Sequence, residues 1–335
     1  MVRQSRRRFL TTLSLAGAAA LLPRPGVAVA AEAPPETRSV RLPKEASICV
    51  APQDVVDDLL RAEGFTDIGH VPLALDTYVP DAISRGELDF GMNFATVQIA
   101  GIDRGVAMKV LAGVHVGCFE LFVNDAIGGI TNLGGKKVGI RALGSPEHLF
   151  VSVIASNVGI DPKVQIDWVT SGPVRPKQLF IDGKIDAFLG FPPEPQEVRA
   201  KGIGRIVVDS ALDRPWSQYF CCMLAGSADY VKNYPVATKR VVRAILKAAD
   251  LCTSDPARVA RMLVDSGFTD RYDYARQALS ELPYDKWREY NPEDTVRFYA
   301  LRLHEVGMVK STPQKIIANG TDWRFLDELK RELKA

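Results

Sequence analysis

Two prolines open the chemical reading of the chain. Pro52, followed by Gln53, and Pro146, preceded by Ser145, stand where helices begin, since proline in a first helical turn gives up only an N–H that has no partner there. A helix start presents unpaired N–H groups and a partial positive charge, which suits a carboxylate, sulfonate or phosphate. Ser145 has two uses, capping its own helix or touching such a ligand. Asn93 with Phe94, and Phe191 with Glu194, follow short apolar runs and offer an amide, two ring faces and an acceptor. Glu120 interrupts an apolar run; a buried carboxylate is costly unless paired, so it is either a ligand contact or half of an ion pair. Trp216 and Tyr219 add amphipathic rings, with Trp216 either stacking on an aromatic or quaternary-ammonium ligand or wedged in the interior. Acceptors at Glu120 and Glu194 with rings at Phe191 and Trp216 favour a cationic or N–H-rich ligand, an amine or a pyrimidine. The helix starts favour an anion, and a zwitterion satisfies both.

The thiols carry less. Cys118 follows His115 by three residues, and both are soft donors, but residues three apart on a strand face opposite sides and His70, His148 and His304 form no cluster. No metal or other cofactor is therefore expected. Cys118, counted with the candidate ligand contacts, also has a disulfide partner in Cys221 or Cys222 if the compartment is oxidising; otherwise these are small buried hydrophobes. Cys49 is read as a free thiol at a strand end. No G-x-S-x-G or H-E-x-x-H motif occurs, so the chain is read as a non-enzyme, the alternative being an enzyme that uses a cysteine or an acid.

Length and charge set the frame. The 335 residues are 47% hydrophobic and 24% charged, enough for two domains, and 42 Lys+Arg against 40 Asp+Glu exclude a strongly basic nucleic-acid binder. The first thirty residues differ from the rest. Their only charges are Arg3, Arg6, Arg7, Arg8 and Arg24, and the apolar run Leu10 to Leu22 ends at Ala28-Val29-Ala30, an A-x-A cleavage site. Ser5-Arg6-Arg7-Arg8-Phe9-Leu10 is similar to the twin-arginine export motif, so residues 1–30 are read as a signal cleaved near Ala30 and the mature protein as periplasmic. Removing the five arginines leaves 37 basic against 40 acidic residues.

Residues 31–39 read as a leader, and from Val40 short apolar runs alternate with helical stretches closed by glycine, the pattern of β-α-β units. The pattern repeats. Pro52, Gly64 and Gly86 return as Pro146, Gly159 and Gly183, 94 to 97 residues later, and Glu87-Leu88-Asp89-Phe90 returns as Lys184-Ile185-Asp186-Ala187. Strands are expected at Ile48–Val50 and Val138–Ile140, two more between Val110 and Val123, and another at Tyr219–Ala225; from Ala228 onward the text is helical. The expectation is two similar α/β lobes: 40–122 with 220–335, and 123–219.

Glu63-Gly64-Phe65, Gly86-Glu87-Leu88-Asp89-Phe90-Gly91, Asn132-Leu133-Gly134-Gly135-Lys136-Lys137-Val138-Gly139 and Gly183-Lys184-Ile185-Asp186-Ala187, together with the export signal, carry a resemblance. Over residues 40–335 the chain resembles the periplasmic substrate-binding proteins of ABC importers, in the nitrate/sulfonate/taurine group that also holds binding proteins for thiamine pyrimidine precursors. That resemblance implies a type 2 two-lobed α/β fold, each lobe a mostly parallel sheet flanked by helices with a helical C-terminal return. It also implies a small organic solute captured in the interlobe cleft by hinge closure, an inner-membrane permease as partner, and a monomer. A ligand-sensing partner of a membrane receptor uses the same clamp.

Overall fold

Among the described residues, Val, Leu and Ile, alternating with polar residues or running together where both faces are covered, build ten strands: β1 (Ser39–Lys44), β2 (Asp67–Pro72), β3 (Phe90–Phe94), β4 (Met108–Val116), β5 (Glu120–Val123), β6 (Lys137–Ile140), β7 (Asp167–Thr170), β8 (Ala187–Gly190), β9 (Arg205–Asp209) and β10 (Phe220–Ser227). The computed structural model describes residues 32–333 apart from 46, 75, 76 and 173. The export signal expected over residues 1–30 lies outside the described residues. Among the described residues no helix is long and apolar enough to cross a membrane.

One lobe is a five-stranded sheet in the order β7-β6-β8-β5-β9. β6 runs parallel to β7 and β8, while β5 runs antiparallel to β8 and β9. The other lobe follows the same plan in two pieces, β1-β2 and β3-β10-β4, with β10 antiparallel to both neighbours. The Asp89 N–H donates to the Arg41 carbonyl at 3.0 Å and the Arg41 N–H to Asp89 Oδ2 at 2.8 Å, so β1 lies beside β3. The order therefore reads β2-β1-β3-β10-β4.

The repeated aspartate has a physical reason. In the second lobe the Asp186 N–H donates to the Lys137 carbonyl at 2.8 Å, and the Lys137 N–H donates to Asp186 Oδ2 at 2.9 Å. Each Gly-x-x-Asp thus pins the start of one strand to the entry of the next. The glycines before them, Gly86 at φ +71° and Gly183 at φ +68°, end the preceding helices in the left-handed region that glycine takes without penalty.

β5 follows β4 and β10 follows β9, so each sheet is completed by a strand that the chain carries across from the other lobe. The second sheet takes in Glu120–Val123, so residues 120–122, placed in the first lobe from sequence, pair in the second. A Cys118–Cys221 disulfide joins the two crossings, with Cα atoms 6.3 Å apart. The helical return covers the first lobe: Pro235–Ser254 buries Val241, Val242, Ile245, Leu246 and Ala249, and Arg243 and Lys247 hold Glu63 at 2.7 and 3.0 Å. Pro292–Glu305 lies against Ala95–Asp103 of one lobe and Pro146–Asn157 of the other.

One expected element is different. Ile48–Val50 is a single 3-10 turn, not a strand, and it runs straight into the helix Ala51–Asp54. The Val50 N–H turns back to the Ser47 carbonyl at 3.2 Å because Pro52 already commits the chain to a helical turn. The strand is β1, six residues upstream in phase. A buried apolar triplet does not distinguish strand from turn.

Candidate ligand-binding site

Loops at the carboxyl ends of the strands face each other across the two lobes and enclose a cavity of about 230 Å³. Its walls are built from repeat mates. Glu45 follows β1 and Arg141 follows β6, Tyr78 and Arg175 stand at the N-caps of Val79–Ser84 and Pro176–Ile181, and Phe94 ends β3 as Phe191 follows β8. These pairs are 96 or 97 residues apart. The rings of Phe94 and Phe191 meet with centroids 4.3 Å apart, and the Arg141 guanidinium lies 5.6 Å from the Tyr78 ring centroid, so the lobes touch on both sides of the cavity.

The cavity is charged but largely self-paired. Arg141 Nε donates to Glu147 Oε1 at 2.9 Å, and Arg175 Nη1 lies 3.4 Å from Glu194 Oε1. Burial pushes the half-buried Glu45 carboxyl up to about 7, against the pull of Arg141. Burial raises Glu194 as well, opposed by Arg175 and Lys177. Both guanidinium groups are thus engaged by carboxylates, Arg141 by Glu147 and Arg175 by Glu194, while Glu45 forms no ion pair among the described residues. The unpaired Glu45 carboxyl offers an acceptor to N–H donors, and Phe94 and Phe191 offer apolar ring surface.

Four of the residues expected to contact ligand line this cavity: Asn93, Phe94, Phe191 and Glu194. Asn93 turns its Oδ1 onto the Phe94 N–H at 2.7 Å, leaving its amide nitrogen for other partners. The remaining seven lie elsewhere. Pro52 is buried in a helix of four residues. Gln53 is fully buried, donating from Nε2 to the Pro43 carbonyl at 3.2 Å and accepting the Met92 N–H at 2.7 Å, so it ties β1 to β3. Ser145 caps its helix, accepting the His148 N–H at 3.4 Å, and Glu147 in the first turn of that helix pairs with Arg141. Cys118 is in the disulfide.

Glu120 takes the ion-pair alternative, 3.4 Å from Arg199, in a second cavity of about 350 Å³ that includes Gln196, Asp209 and Glu281. Burial pushes its carboxyl up to about 7. Trp216 takes the interior alternative, edge-on to Phe298 at 5.9 Å, and Tyr219 stacks on the same ring at 4.0 Å. Cys49 is fully buried, and its thiol is pushed up to about 12. That leaves it far from a reactive thiolate.

Glu45, Tyr78, Arg141, Glu147 and Arg175 escaped the sequence reading. The repeat held the signal for them: Val138–Ile140 displaced by the 96-residue offset falls on Leu42–Lys44, which puts Glu45 opposite Arg141.

Comparisons with known proteins agree with this architecture. The NMT1-like family matches residues 38–264. Among solved structures, the periplasmic nitrate-binding protein NrtA from Synechocystis PCC 6803 superposes with a TM-score of 0.72 at 14% identity, covering 90% of this chain and 90% of that one. The periplasmic aliphatic sulphonate-binding protein SsuA from Escherichia coli gives 0.66 at 16% identity, covering 86% and 94%. The Candida albicans CA3427 gene product, described as having the generic periplasmic binding protein fold, gives 0.67 at 12% identity, covering 84% and 94%. No curated protein sequence matches the chain significantly. With the fold shared at these low identities and the family matched over more than half of its length, the chain belongs to the NMT1-like family.

Proposed function

We propose that the protein is the periplasmic solute-binding component of an ABC importer, exported by the twin-arginine route, and that it carries a small amine or pyrimidine-type solute to an inner-membrane permease. The observation that carries the ligand class is the charge state of the cavity. Glu45 forms no ion pair among the described residues, whereas Arg141 is held by Glu147 and Arg175 by Glu194. A planar N–H-rich or cationic ligand satisfies the carboxyls and packs against Phe94 and Phe191. A nitrate or simple sulfonate would have to displace a carboxylate from its arginine and sit beside the other acids.

The chain crosses between the two sheets at two neighbouring segments that the Cys118–Cys221 disulfide joins, an arrangement that supports capture by closure of the lobes as a monomer. A thermal-shift series with an aminopyrimidine, a primary amine, taurine, an alkanesulfonate and nitrate tests the reading. Ligand at about 100 times Kd adds roughly 2.7 kcal/mol of stability. The aminopyrimidine or the amine is expected to raise the melting temperature; a rise with nitrate or the alkanesulfonate alone contradicts the proposal.

A further inference from the structure

His115, Cys118 and Cys222 meet at the hinge, although strand periodicity set His115 and Cys118 on opposite faces. Gly117 is the reason. At φ +52° it turns the chain out of β4, and a Cβ there would lie 2.3 Å from the Ala211 Cα, so only glycine fits. Cys222 of β10 is the cross-strand partner of His115. A ring nitrogen of His115 and the Sγ atoms of Cys118 and Cys222 all lie within 4.8 Å of one another, and all three residues are buried. His115 Nδ1 lies 3.3 Å from the Val116 carbonyl, and the tautomer that donates there from Nδ1 leaves a lone pair on Nε2. Nε2 has no hydrogen-bond partner among the described residues.

We propose that, once the Cys118–Cys221 disulfide is reduced, His115 Nε2, Cys118 Sγ and Cys222 Sγ hold one soft d10 metal ion, Cu(I) or Zn(II), at the hinge. Cys118 serves either Cys221 or the metal, so disulfide and metal exclude each other. A dithiol supplies two electrons and two protons to the Cys118–Cys221 bond and becomes a cyclic disulfide, leaving two protein thiols. Metal binding then sends the thiol protons of Cys118 and Cys222 to solvent. Two thiolates and a neutral imidazole select soft ions over Mg²⁺ or Ca²⁺.

The test uses the purified full chain, reduced with a dithiol, freed of it under argon and dialysed against Zn(II) or against Cu(I) supplied as a chelate. Metal per chain is measured by inductively coupled plasma mass spectrometry. The reduced chain is expected to retain about one ion and the oxidised chain none; the two dialysis arms tell which ion is preferred. Cys221→Ala keeps all three ligands and cannot form the disulfide, so it is expected to take up the ion without reductant. Cys222→Ser, or His115→Gln if that serine variant does not fold, is expected to weaken binding about tenfold or more. Equal metal content in reduced and oxidised chains, or a folded Cys221→Ala protein that binds neither ion, overturns the proposal.

Discussion

Glu45 stands one residue beyond β1 on the wall of the cavity, and replacing it with glutamine separates its two effects. Burial, partly countered by Arg141, moves its carboxyl from the ordinary 4.5 to about 7. Between those values the folded chain holds a proton that the unfolded chain has released. Stability therefore falls as pH rises through that window, and the penalty is complete above it. At about 1.4 kcal/mol per tenfold change in proton affinity, the displacement amounts to about 3 kcal/mol, an upper figure because the side chain is partly exposed. Glu45→Gln keeps the shape and removes the ionisation. The ligand-free variant is expected to match the parent near pH 4.5 and to be more stable at pH 8 by up to about 3 kcal/mol. Affinity should move the other way. Losing a charge-assisted acceptor costs about 1.5–3 kcal/mol, roughly 10- to 100-fold in Kd for a cationic solute at pH 8. Urea unfolding across pH 4.5–8 reads the first effect and isothermal titration calorimetry the second. A variant less stable than the parent at pH 8, or one that binds the amine equally well, refutes the assignment of Glu45.

Gln53→Leu should leave the Met92 N–H and the Pro43 carbonyl unsatisfied in the core and lower unfolding free energy by about 1–3 kcal/mol per orphaned group, with ligand affinity unchanged; a selective loss of affinity in a stable variant would put Gln53 back in the site. Arg199→Ala strips Glu120 of its cation and frees Glu281, so denaturant unfolding should show a loss of about 3 kcal/mol at pH 8 and a smaller one at pH 5, where Glu120 holds its proton; equal losses at both pH values would remove Glu120 from the argument. Reducing the Cys118–Cys221 bond releases a loop of 103 residues, for which chain entropy gives about 4–5 kcal/mol. A melting temperature unchanged by reductant would show that the bond does not constrain the unfolded chain.

The repeat made most of the fold legible. Gly86 and Gly183, with Asp89 and Asp186 behind them, mark where helices end and where neighbouring strands are pinned together, and those roles need particular residues. The crossings at Val110–Val123 and Tyr219–Ala225 were readable because their apolar runs are too glycine-broken and β-branched for helix. The start of the first lobe was not, because Ile48-Cys49-Val50 has the composition of a strand and the geometry of a turn. That single phase error moved attention from Glu45 to Pro52 and Gln53. Phe94, Phe191 and Glu194, which line the cavity, were legible as candidates because they lie at strand ends marked by the repeat. Arg141 and Arg175 were passed over because an arginine in a loop looks like solvated surface until a buried partner such as Glu147 is seen beside it. Long-range placement also decided Trp216, whose neighbour Phe298 is 82 residues away.

The central claim is that an N–H-rich or cationic solute sits between Phe94 and Phe191 with its donors on the cavity carboxyls. Isothermal titration of the parent and of Phe191→Ala with an aminopyrimidine, a primary amine and nitrate tests it most directly. The account predicts saturable binding of the aminopyrimidine or the amine to the parent, weakened about tenfold or more in Phe191→Ala as the ring contact is lost, and no binding of nitrate. Tight nitrate binding without either nitrogenous ligand, or amine or pyrimidine binding that Phe191→Ala leaves unchanged, contradicts it.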